Sequence, residues 1–181
     1  MPTKNAETIK GLLNKASVAR RENRLEDAKR AASSAIELSR HDSNKEHYAA
    51  AIKSLGQIER DSGNVQSSIS LYEQAADIYR KHKNELQIAH TLRHLGDLHF
   101  DLEQLEIADS YYEEALSIYR NSAQTGELDL ANMIRSVAIL KEKEGNIPEA
   151  ILLWKEAKSL YENSDIKPGI EECKQRLEEL R

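Results

Sequence analysis

The chain has 181 residues and a formal net charge of −5, with 39% hydrophobic, 31% charged and only 5% aromatic residues. That acidic balance excludes the basic field needed to hold a phosphate backbone, so nucleic acid is not an expected partner. Seven glycines and three prolines are too few to punctuate a β-sheet protein, whereas the good helix formers Ala, Leu, Glu, Lys and Arg are abundant.

The longest apolar run, Ala150 to Trp154, is far short of the roughly 18 residues of a spanning helix. Met1-Pro2-Thr3-Lys4-Asn5 opens no signal-peptide core. The expectation is a cytoplasmic protein without membrane contact. The single cysteine, Cys173, cannot form an internal disulfide and lacks the partner spacing of a metal site.

In chain order, apolar residues at i, i+3, i+4 spacing predict helices near 4–22, 24–41, 44–62, 64–82, 86–102, 104–121, 126–144 and 146–163. Ser43 with Glu46 marks the third start, and Gly63-Asn64 and Gly145-Asn146 each pair a helix-ending glycine with an asparagine N-cap. Asn146 is followed three residues on by Glu149, in the manner of a capping box. After Asp165, a predicted N-cap, Ile170, Cys173, Leu177 and Leu180 recur at helical spacing in a one-sided amphipathic helix.

A fixed period runs through these elements. Small residues stand at Ala16, Gly56, Gly96 and Ala138, in steps of 40, 40 and 42 residues. Twelve residues after each comes Ala28, Ser68, Ala108 or Ala150, and four further on Ala32, Tyr72, Tyr112 or Trp154. Three beyond that stands an alanine every time: Ala35, Ala75, Ala115 and Ala157. Each period reads as two antiparallel helices, with small residues allowing close approach of the axes and the large residue filling the space beside them.

Leu95-Gly96 through Ala115 and Val137-Ala138 through Ala157 resemble tetratricopeptide repeats, and the resemblance covers about 160 residues. The period exceeds the ~34 residues of the standard motif and is similar to the longer repeats of kinesin light chains and LGN-type adaptors. The resemblance implies an all-α, right-handed superhelical solenoid. Within residues 1–163 it would comprise four helix-turn-helix repeats, at approximately 4–41, 44–82, 86–121 and 126–163, followed by a capping helix over 166–181. Two departures stand out. The usual closing proline is replaced by Arg40, Arg80, Arg120 and Glu162, so the second helices should run on, and Ala32 replaces the aromatic in the first unit, which then reads as a worn cap.

The family's geometry further implies a concave groove lined by first helices, with Lys53, Gln57, Arg60, His90, Arg93, Asp97, Phe100, Asn132 and Arg135 facing it. Lys53, Arg93 and Arg135 share one level of three units, a basic ladder suited to an acidic peptide, with Asp97 and Glu142 partly neutralising it; the plainer reading is a solvated polar face. Phe100 is a candidate anchor, or is buried against the next unit. Tyr72, Tyr112 and Trp154 are expected in the core, and Tyr79, Tyr119 and Tyr161 between repeats.

His90, His94, Asp97 and His99 have metal-compatible spacing but diverging directions, so no metal or other cofactor is expected. No GxxxxGK[ST], GxSxG, HExxH or CxxC occurs. The expected function is a non-enzymatic scaffold that binds a protein or peptide segment. The alternatives are a regulatory or sensory module taking a signalling peptide or small effector, and a self-assembly element; a monomer is the expected state.

Overall fold

The computed structural model describes residues 4–180; Met1 to Thr3 and Arg181, which belong to the expected first and last segments, lie outside the described residues. Among the described residues there are nine α-helices and no strand: α1 (Lys4–Arg21), α2 (Leu25–Ser39), α3 (Lys45–Asp61), α4 (Val65–Lys81), α5 (Glu85–Asp101), α6 (Leu105–Asn121), α7 (Glu127–Lys143), α8 (Ile147–Asn163) and α9 (Lys167–Glu179). Eight of them match the periodic segments, and α9 is the amphipathic stretch after Asp165. The chain forms two compact units, residues 1–91 and 92–181, with the boundary inside α5.

The turns inside the helix pairs are alike. Backbone N–H groups of Arg24, Asn64, Gln104 and Asn146 donate to the carbonyls of Ala19, Glu59, His99 and Lys141 at 2.8, 2.8, 2.9 and 2.8 Å, the reverse bond that closes a helix C-terminus. The residue before each donor is left-handed: Asn23 (φ 57), Gly63 (φ 80), Glu103 (φ 58) and Gly145 (φ 78). The glycines were legible as helix stops. The same turn is built on Asn23, a residue that tolerates the left-handed region, and on Glu103, where the closing bonds impose it against the preference of the side chain.

The helix starts differ from the sequence reading. Asn64 and Asn146 occupy N-cap positions without accepting a backbone N–H through their side chains. Their amides instead donate to carboxylates, Asn64 to Glu59 at 2.7 Å and Asn146 to Glu149 at 2.6 Å. At the third start the cap is Asn44, whose Oδ1 accepts from the Glu46 N–H at 3.0 Å, while Ser43 contacts Asp42. Asp165 turns left-handed (φ 52) and leaves the cap of α9 to Ile166.

In the first unit, α1 and α2 meet across a core of alanines, Ala16, Ala19, Ala28, Ala31 and Ala32, filled by Ile58 of α3. Ala32 is fully buried where its counterparts are large. Between α3 and α4, Gly56 faces Leu71 and the Tyr72 ring, and the Ser68 hydroxyl donates to the Gly56 carbonyl at 2.8 Å.

In the second unit Gly96 lies directly under Tyr112, and Ala138 and Trp154 are both fully buried. Truncating a buried aromatic of this kind costs about 3–5 kcal/mol. α9 packs on α8: a Cβ at Gly169 would stand 2.7 Å from the Tyr161 ring, and Cys173 is fully buried. α7 buries Ala131, Ile134 and Ala138. The residues of α9 in the same register are Glu171, Lys174 and Glu178, all exposed.

Candidate functional site

Helical periodicity separates two stripes on the first helices. In α3 the buried stripe is Ala49, Ile52, Gly56 and Glu59, and beside it Lys53, Gln57 and Arg60 follow at i, i+4, i+7. In α5 the equivalent stripe holds His90, Arg93, Asp97 and Phe100, and in α7 it holds Asn132 and Arg135. All nine side chains are half-buried.

In the first unit, Lys53 Nζ donates to Gln87 Oε1 at 2.6 Å and stands 5.7 Å above the centre of the Tyr79 ring. A cation over an aromatic face in a partly desolvated position gains about 0.5–2 kcal/mol. The ammonium is thereby held in place. Tyr79 is almost wholly buried, and burial pushes its hydroxyl well above the ordinary range, so the ring stays neutral.

The second unit places Asp97 at a junction of three helices. Its Oδ1 accepts from the Tyr112 hydroxyl of α6 at 2.8 Å and from the Ser136 hydroxyl of α7 at 3.2 Å. Its Oδ2 faces Arg93 at 3.4 Å, with His94 in electrostatic contact at 3.8 Å. Burial alone would push the Asp97 carboxyl up; His94, the Arg93 charge and the Tyr112 hydroxyl outweigh it and hold the group down at about 2. Arg93 also acts on Tyr119, whose hydroxyl burial pushes far up.

At the far side of the unit, Arg135 forks onto Glu172 of α9, Nε to Oε2 at 2.7 Å and Nη2 to Oε1 at 2.6 Å. The Tyr161 hydroxyl donates to Asn132 Oδ1 at 2.8 Å, and burial pushes that phenol up to about 12. Glu142, nearly buried, accepts from the Trp154 indole and pairs with Arg176. The groups that sequence reading missed are thus Glu172, Ser136 and the hydroxyl of Tyr112. Glu172 lies off the apolar face formed by Ile170, Cys173 and Leu177. Its register offered a signal, because it stands 40 residues after Asn132 in α9's copy of the same stripe.

The histidines do not converge. His99 Nδ1 bonds Gln104 Oε1 at 2.6 Å and its ring stacks on Tyr111, while His94 turns to Asp97. Among the described residues no group of three His, Cys, Asp or Glu side chains has the geometry to hold a metal. No described helix is long and apolar enough to cross a membrane. These first-helix faces thus present amide, guanidinium, ammonium and carboxylate groups.

Helix hairpins repeating at 40 to 42 residues, with small-on-aromatic packing and a polar first-helix stripe, define a tandem-repeat protein-interaction module. The chain belongs to the tetratricopeptide repeat family: two models of that description match residues 7–81 and 88–123, together more than half of its length. Solved structures of similar fold include BtubC (BKLC) from P. vanneervenii, 15% identical over 99% of this chain and 92% of that one, with a TM-score of 0.68. The apo form of RapI is 14% identical with a TM-score of 0.78, over 91% of this chain and 59% of its own. Aspartyl phosphate phosphatase F from Bacillus subtilis is 14% identical with a TM-score of 0.84, over 96% of this chain and 45% of its own. These likenesses are of fold, and the chain spans about half of the latter two. Among curated proteins none matches it.

Proposed function

We propose that this chain is a non-enzymatic interaction module of the cytoplasm that holds a peptide or protein segment along its first-helix stripe. One observation carries the reading: Lys53, Gln57, Arg60, His90, Arg93, Asp97, Phe100, Asn132 and Arg135 are all half-buried, polar with one exception, and recur in register on successive first helices. A merely solvated face would leave long basic side chains extended into water. Here Lys53, Arg93 and Arg135 are each aimed by an acceptor: Gln87, Asp97 and Glu172.

Those acceptors also refine the ligand chemistry. Two rungs of the basic ladder, Arg93 and Arg135, already face carboxylates, so a strongly acidic ligand gains little there. The stripe suits a mostly uncharged extended segment whose backbone amides are read by Gln57, Asn132 and the arginines, with Phe100 packing against one of its side chains.

The test is affinity capture with wild type beside a Lys53→Gln, Arg93→Gln, Arg135→Gln variant. Neutral glutamine keeps hydrogen-bonding capacity toward Gln87, Asp97 and Glu172 and spares the fold. Loss of specific proteins from a variant that still unfolds cooperatively, at a melting temperature lowered by the lost cation–π and ion-pair contacts, is expected; identical capture would end the groove assignment.

A further inference from the structure

A cavity of about 350 Å³ opens in the first unit, where the end of α2, the start of α3 and the end of α4 meet. Arg40, Lys45, Lys81 and His82 line it with two half-buried walls, Tyr48 and Ile78. Three fixed positive charges and an imidazole thus surround one small space in a protein whose net charge is −5. None of the six lining residues is a carboxylate; Arg40 meets Glu37 at 3.3 Å as an exposed pair.

The repeat supplies its own comparison. In register with Arg40, Lys45, Lys81 and His82 stand Arg80, Glu85, Asn121 and Ser122, then Arg120, Glu127, Asn163 and Ser164. Each of those sets has one positive and one negative charge. At the third, the start and end residues bond to each other, Asn163 Nδ2 to Glu127 Oε1 at 3.3 Å. At the first, two lysines replace that pair, repel each other and leave the space open. Tyr48 likewise stands where Ile88 and Leu130 follow.

Helix dipoles account for only part of this. Arg40, Lys81 and His82 lie at helix C-termini, where positive charge is favourable. Lys45 lies in the first turn of α3, the unfavourable end; its Nζ donates to the Arg40 carbonyl at 2.8 Å, which draws the ammonium to the cavity mouth. An ammonium held beside two like charges at one cavity is stabilised by an anion.

From this geometry we infer that the cavity binds a phosphate monoester carried on a small flat apolar body, such as a phenyl phosphate group. The phosphate sits among Arg40, Lys45 and Lys81 with His82 adding a ring N–H, and the body lies between Tyr48 and Ile78. The volume lies in the usual range for small-molecule sites. The same chemistry is offered by a free metabolite or by a phosphotyrosine side chain of a partner.

The experiment titrates phenyl phosphate into the full chain by calorimetry at low salt, beside inorganic phosphate and a phosphotyrosine peptide. The control is Lys45→Glu with Lys81→Asn, which installs the residue pair of the third junction and should melt no lower than wild type. Saturable binding of phenyl phosphate, weaker binding of inorganic phosphate, and a loss of about tenfold or more in the control variant are expected. A peptide that binds more tightly than phenyl phosphate identifies a protein-borne source, and equal binding a free one. No saturation by about 10 mM, equal binding of inorganic phosphate, or unchanged affinity in a folded control variant overturns the proposal.

Discussion

Tyr112 covers Gly96 so closely that a Cβ at Gly96 would overlap the near edge of the Tyr112 ring and stand 3.1 Å from its Cζ. The ring cannot retreat, because its hydroxyl is tied to Asp97 at 2.8 Å. At Gly56, the same register position one repeat earlier, a Cβ would meet Leu71 and Tyr72 at 3.4 and 3.5 Å, ordinary contact. Gly96→Ala is therefore expected to destabilise by about 1–3 kcal/mol through overpacking. Gly56→Ala should be neutral or stabilising by up to about 1 kcal/mol from helix propensity. Thermal melts of the two variants should move in opposite directions or differ by several degrees; equal shifts would refute the contrast.

The Asp97 carboxyl sits at about 2 in the folded chain against an ordinary 3.8. A depressed folded value means that the unfolded chain takes up the proton first as pH falls. The stabilising contribution is then complete above about pH 4 and is lost on falling through pH 2, amounting to about 2 kcal/mol. Asp97→Asn should cost about that much near neutral pH and nothing near pH 2. Urea denaturation of both proteins across this range reads it out, and parallel pH profiles would show that the carboxylate charge is not the cause.

Glu103 and Gly63 occupy equivalent left-handed turn positions, at φ 58 and φ 80. A non-glycine residue held left-handed costs about 1–2 kcal/mol, and the exposed pair of Glu103 with Lys143 at 3.2 Å returns less than about 1 kcal/mol. Glu103→Gly is expected to raise the melting temperature and Gly63→Ala to lower it. A fall in the first variant would mean that the ion pair outweighs the backbone.

Cys173 is fully buried in α9, and burial pushes its thiol up to about 11. It should resist a disulfide exchange reagent in the native state and react only as fast as α9 opens. The labelling rate is expected to rise steeply with sub-denaturing urea. Immediate labelling of the native chain would place the thiol at the surface.

The repeat, the helix pairs and their core were legible in the sequence because they are written as local periodicity. Ala16, Gly56, Gly96 and Ala138 must be small where helices cross, Tyr72, Tyr112 and Trp154 must be large beside them, and a fixed step repeats both requirements. Which residues share a first-helix face, the nine of the proposed stripe with eight polar among them, likewise follows from helical spacing. The chemistry of the stripe does not. That Arg135 is aimed by Glu172, Asp97 held by Tyr112 and Ser136, and Glu142 claimed by Trp154 and Arg176 depends on side chains brought together from 12 to 39 residues away. The left-handed turn at Glu103 follows from closing bonds rather than residue preference. The cavity at the first junction needed both sources: the sequence places Lys45 and Lys81 in register with Glu127 and Asn163, and only the tertiary structure shows that the lysines face one space. Spacing along a chain sets which face a residue occupies, whereas charge pairing is decided by what stands across from it.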